Sequence, residues 1–127
     1  MSKRKDSIAD KLYLIQESIG QIELYTKDIT CSDDFILSPA GMVSLDASVL
    51  RLQVIGESVK KLFDHEETNP LASHNEIPWK QIIGLRNIIS HEYLSLDEVV
   101  IFHIIKGDLP RLKRSISSII TEFMETF

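Results

Sequence analysis

From Val43 to Phe63 the apolar residues Val43, Leu45, Val49, Leu50, Leu52, Val54, Ile55, Val59, Leu62 and Phe63 wrap most of the way round a helical projection. Such a helix has to be covered on more than one side, which in a small protein means a central position or a subunit interface. Ser38-Pro39 supplies its start, a side-chain cap followed by a first-turn proline whose missing N–H costs nothing there. Gly56 falls mid-helix, where glycine is less favourable than alanine by about 1 kcal/mol, and close approach of another helix offsets that loss. Beside it, Glu57 puts a carboxylate on an apolar helix, and such a group needs a partner. Arg86 and bulk water are the two open choices.

The remaining segments repeat the helical theme. Ile8, Leu12, Ile15, Ile19, Ile22 and Ile29 recur at steps of three, four or seven, so residues 7–30 read as a surface helix with one buried stripe. Thr30-Cys31-Ser32-Asp33-Asp34 breaks that pattern as a loop. Asp64 to Pro70 ends the second helix, and a polar connection runs on to Ile77. Pro78 opens a third helix, with Ile82, Leu85, Ile89 and either Ile88 or Glu92 as its buried stripe. Ser95-Leu96-Asp97-Glu98 has the form of a capping box for a short helix that Gly107 closes. Asp108 then caps the last helix, with Pro110 in its first turn and Leu112, Ile116, Ile119, Ile120, Phe123 and Phe127 as its stripe. Arg111, Lys113 and Arg114 form a small solvated basic cluster beside it. No alternating run has strand character. The expected architecture is all-α, an up-and-down bundle of four or five helices in a single domain spanning residues 1–127.

At 127 residues the chain has room for one core and not two. No apolar run is long enough to cross a bilayer, and Met1-Ser2-Lys3-Arg4-Lys5-Asp6 lacks the apolar core of a signal peptide. A lone cysteine, Cys31, excludes an internal disulfide framework and fits the reducing cytoplasm. The net charge of −5 argues against a broad grip on a nucleic-acid backbone, but leaves room for a small local site. His65 and His74 read as solvated loop histidines, because no further ligands stand at metal-binding spacing. No metal or cofactor is expected.

One short stretch carries more polar chemistry than a core face needs. Arg86, Asn87, Ser90, His91 and Tyr93 stand among the apolar residues of the third helix. Arg86 is permanently charged and can grip a phosphate with two N–H groups. His91 titrates near neutrality and can act as acid or base. Asn87 can orient His91 or a phosphate, with Ser90 as a weaker candidate. Tyr93 stays neutral at pH 7 and is no obvious catalyst.

Arg86-Asn87-Ile88-Ile89-Ser90-His91-Glu92-Tyr93 has the form Arg, four residues, His, one residue, Tyr. This resembles the signature of the HEPN superfamily and, with its tyrosine, of the HepT-like toxins. Leu52 to Lys60, Ile77-Pro78-Trp79 and Gly107-Asp108-Leu109-Pro110 resemble HepT-type segments in the same order. The resemblance implies a metal-independent ribonuclease that works as a homodimer, with both protomers' motifs lining one cleft and RNA, tRNA included, as substrate. The residue chemistry makes Arg86 and His91 the catalytic candidates, with Asn87, Ser90 and Glu57 in support. The resemblance further implies a toxin–antitoxin pair in which an MntA-like minimal nucleotidyltransferase neutralises the toxin by transferring AMP to Tyr93. Two other readings compete. One is a non-catalytic HEPN binding partner of a nucleotidyltransferase. The other reverses the roles, with this chain as the antidote.

Overall fold

Ile8, Leu12, Ile15, Ile19 and Ile22 all lie at or below 1% exposure along one side of the first helix, so the periodicity read from the sequence is the periodicity that packs. In the computed structural model, which describes residues 3–64, 71, 73–92 and 97–126, every regular element is helical. The order is α1 (Lys3–Tyr25), a 3-10 turn (Ser32–Phe35), α2 (Pro39–Phe63), α3 (Trp79–Glu92), the short α4 (Glu98–His103), a π-helical turn (Ile104–Asp108) and α5 (Leu109–Thr126).

Side-chain pairings fix the directions. Lys106 Nζ reaches the Thr26 carbonyl at 3.0 Å and Lys113 Nζ reaches Glu23 at 3.0 Å, so α5 starts where α1 ends. The Phe63 and Trp79 rings pack 6.1 Å apart, joining the end of α2 to the start of α3. Tyr25 and Ile29 share a concavity with Ser38 and Ser44, which sets the end of α1 against the start of α2. The result is an up-and-down bundle in which α2 packs on both α1 and α3, and α5 packs on α1.

Side-chain caps mark the starts of the 3-10 turn, α2 and α4. Ser38 Oγ accepts the Gly41 N–H at 3.0 Å, with Pro39 in the first turn of α2. Asp34 Oδ2 accepts the Thr30 and Cys31 amides at 2.8 and 3.2 Å, and these bonds hold its carboxyl below the ordinary aspartate range. A methyl group on Gly41 would overlap the Asp34 carbonyl oxygen, so this corner admits no side chain.

Four expectations need correction. The first helix ends at Tyr25, not near residue 30, although Ile29 is still only 6% exposed because the chain folds back over the core. The cap of α4 is Asp97, whose side chain accepts the Val99 and Val100 amides; Ser95 lies outside the described residues. Gly107 closes no helix and Asp108 caps none. Instead the chain continues through a π turn in which the Leu109 N–H bonds the Ile104 carbonyl. Pro110 has no N–H for the Lys106 carbonyl and its ring would crowd it, and a widened turn relieves that conflict.

The fourth correction concerns His74. Its side chain is only 14% exposed, with Nδ1 3.2 Å from Glu76 and Nε2 3.1 Å from Glu122 on α5. Carboxylates only accept, so both contacts are hydrogen bonds only when the ring is doubly protonated. The Glu122 bond, with help from Glu76, raises its pKa above 6.5. The Trp79 indole N–H donates to the His74 carbonyl at 2.8 Å, so this loop pins the start of α3 to α5. His65 and Phe127 lie outside the described residues.

Candidate active site

Glycine decides where α2 and α3 meet. A methyl group on Gly56 would stand 2.9 Å from the Ile82 carbonyl oxygen and 3.1 Å from the Arg86 amide nitrogen. The two helices therefore touch backbone to backbone, and only glycine allows it. The compensation expected from mid-helix placement is this crossing.

That crossing brings Glu57 and Arg86 together. Arg86 Nη1 lies 3.7 Å from Glu57 Oε1, with the arginine side chain 29% exposed and the glutamate 46%. The spacing is that of an ion pair too long for a hydrogen bond, and half-exposed pairs contribute less than about 1 kcal/mol. Its value is positional: Glu57 holds a guanidinium at the edge of the bundle, where an incoming phosphate can compete for it.

Asn87, Ser90 and His91 belong to the last turns of α3, but their side chains lie outside the described residues, as does Tyr93 entirely. The helix still fixes their register. At about 100° per residue, positions 86 and 91 are roughly 140° apart around α3. One helix does not turn both positions toward one point.

Val43, Leu50 and Val54, part of the all-round apolar pattern of α2, form its open face, and that face leads to this pair. Val43 is 67% exposed and Leu50 58%, with Ala47 and Val54 half-buried between and beyond them. Positions 43, 47, 50, 54 and 57 advance by four and three, so the apolar stripe ends on Glu57. A second concavity of about 130 Å³ lies between α2, α3 and α5, lined by Leu52, Ile55, Ile82 and Leu85, with Asp108 and Arg111 at its rim. Among the described residues no group of three or more His, Cys, Asp or Glu is placed to hold a metal ion, and no helix is long and apolar enough to cross a membrane.

The family model described as "Ribonuclease HepT-like" matches residues 15–119. A Methanocaldococcus jannaschii protein named as a gamma-glutamylcyclotransferase and putative RNase is 38% identical over 115 residues, covering 88% of this chain; the chain spans only 48% of that longer relative. A shorter protein of the same organism, carrying the RNase name alone, is 34% identical over 91% of this chain and 97% of its own length. The "Probable ribonuclease HepT" of Thermococcus cleftensis is 32% identical over 86% of this chain and 92% of its own. No solved structure matches the chain.

Proposed function

The chain belongs to the HepT-like ribonuclease family, and from that premise we propose that it is a metal-independent endoribonuclease whose site is completed by a second copy of itself. The observation that carries this reading is the placement of the Arg86–Glu57 pair at the end of an uncovered apolar stripe on α2. Contiguous apolar surface of that kind marks an interaction face. A two-fold contact along α2 with the two copies of the helix running parallel brings each protomer's Arg86 and α3 end beside those of its partner.

The chemistry follows from what RNA cleavage needs. The ribose 2′-oxygen attacks the adjacent phosphorus, its proton passing to a base. The 5′-oxygen departs with a proton from an acid, leaving a cyclic phosphate. Arg86 stabilises the charge that builds on the phosphorane-like transition state. One histidine performs one proton transfer; a symmetric pair supplies His91 as base and the partner's His91 as acid. The register difference between positions 86 and 91 supports the same arrangement, since two copies can present both groups where one helix separates them. Asn87 orients the imidazole or the phosphate, and Ser90 assists.

In this reading the protein is a cytoplasmic toxin, and an MntA-like nucleotidyltransferase silences it by adding AMP to Tyr93. The adduct would place bulk and negative charge where RNA must sit. Expression of the chain alone in a bacterial host is expected to arrest growth, and His91→Ala or Arg86→Ala is expected to relieve the arrest while the protein stays folded. In vitro, cleavage is expected to persist in EDTA. Equal toxicity of wild type and both variants would remove the catalytic assignment. AMP found on a residue other than Tyr93 after incubation with the transferase would remove the proposed mode of silencing.

A further inference from the structure

Among the described residues nothing requires a glycine at position 84. It lies inside α3, where glycine weakens a helix, and no described glycine has a positive φ that would require it. Unlike Gly56, it faces open space: among the described residues no atom lies within 4 Å of a methyl group placed there. Gly20 and Gly107 are equally open among the described residues, and Gly84 differs from them in lying on the helix that carries Arg86 and position 91.

The register of α3 says which side this is. At about 100° per residue, position 91 falls roughly 20° from Gly84 and position 80 roughly 40° from it, whereas position 86 lies roughly 160° away. Ile82, Ile83 and Arg86 give α3 its contact with Gly56 on α2, so Gly84 is on the outward side, with Lys80 before it and position 91 after it. Lys80 is exposed and makes no ion pair among the described residues. Gln81, also exposed, borders the same groove as Arg111, with Asp108 the one acid on that rim. Lys80 and Gln81 make this strip polar and give it a cation on a chain of net charge −5, while the apolar stripe suited to a second copy is on α2.

Resting on the ribonuclease reading, we propose that the Lys80–Gly84 side of α3 is the track on which the RNA sugar–phosphate backbone lies. Gly84 lets the strand approach the helix backbone closely enough to set its phosphate at the level of His91, and Lys80 neutralises the phosphate one turn earlier. Lys80 and Gly84 are positioning residues; neither takes part in proton transfer.

Gly84→Ala separates this role from a structural one, because its effects have opposite signs. Filling a helical glycine is expected to raise Tm by roughly 2–4 °C. A methyl in the track displaces the strand by about 1 Å, which costs on the order of tenfold to a hundredfold in cleavage efficiency on bulk bacterial tRNA, mostly through KM. Gly20→Ala in α1, another glycine with no neighbour within 4 Å, serves as the control: Tm is expected to rise with cleavage unchanged. Lys80→Gln is expected to raise KM and flatten its dependence on salt. A Gly84→Ala protein that is stabilised and cleaves like wild type overturns the track, as does one whose only change is dimer dissociation, which would hand this face to a second copy. If wild type binds labelled tRNA without cutting it, the ribonuclease reading falls while the binding ratio of Gly84→Ala to wild type still tests the track. If wild type neither binds nor cuts, both fall.

Discussion

A methyl group at Gly56 collides with the backbone of α3, and one at Gly84 meets nothing among the described residues. Both glycines cost their helices about the same, roughly 1 kcal/mol each relative to alanine. At Gly56 the cost is offset within the chain, by a crossing tight enough to bring Arg86 to Glu57. At Gly84 no such return is visible inside the bundle. Among the described residues α3 is thus fixed on its inner side and open at Gly84, an arrangement suited to the proposed role of a helix held still while a ligand approaches.

The hardest way to break this contrast is to fill the inner crossing. Gly56→Val sets a branched side chain against the Ile82 carbonyl and the Arg86 amide, neither of which can rotate away. Overpacking of this kind typically costs 1–3 kcal/mol, so a loss of about 3 kcal/mol in urea denaturation is expected, together with loss of cleavage as Arg86 leaves Glu57. A variant that is unfolded by less than ~1 kcal/mol would show that the crossing is softer than its distances imply.

Next in size is the open stripe of α2. Leu50, 58% exposed, contributes little to the monomer, so Leu50→Lys is expected to leave Tm of the isolated chain within a few degrees. Burying a lysine at the centre of the proposed two-fold contact costs on the order of 2 kcal/mol per copy, enough to shift such a dimer to monomer at micromolar concentration. Light scattering checks the mass, and cleavage is expected to fall with it. A monomeric Leu50→Lys protein with full activity would separate the site from the dimer.

A smaller effect comes from the clamp that seats the start of α3. His74 has its folded pKa raised above 6.5 by Glu122 and Glu76, so its stabilisation is fully present below about pH 6.5 and is lost as pH rises through the folded value. Thermal melts of wild type and His74→Gln are expected to differ by up to about 1 kcal/mol in acid and to converge at alkaline pH. A constant gap across that range would mean that shape, not charge, holds the loop to α5.

How much of this was legible in the sequence depends on the distance between partners. The stripe of α5, from Leu112 to Phe123, is local and periodic, and it is buried as its spacing requires. The Ser38-Pro39 start is equally local. The His74 clamp joins residues 48 positions apart, which no local pattern encodes. The π turn was hidden for another reason: Gly107, Asp108 and Pro110 carry ordinary stop and start signals, and the widened turn that absorbs Pro110 keeps the helix going. The candidate site was readable because its residues are chemically conspicuous against an apolar background. Its outer face was not, since Gly84 stands out only once no described atom is found within 4 Å of a methyl group there.

The smallest expected change discriminates most finely. Glu57→Gln keeps the volume of the side chain and removes its charge. With the pair at 3.7 Å and both groups partly exposed, stability is expected to move by less than about 0.5 kcal/mol. If Glu57 only occupies Arg86 until RNA arrives, neutralising it loosens the hold on the guanidinium, and KM for RNA is expected to fall by a few-fold with kcat unchanged. If instead it holds Arg86 in the orientation that the transition state needs, kcat falls and KM stays. The two outcomes differ in sign, so steady-state kinetics on one folded variant decide whether the inner side of α3 acts as a store for the arginine or as its mount.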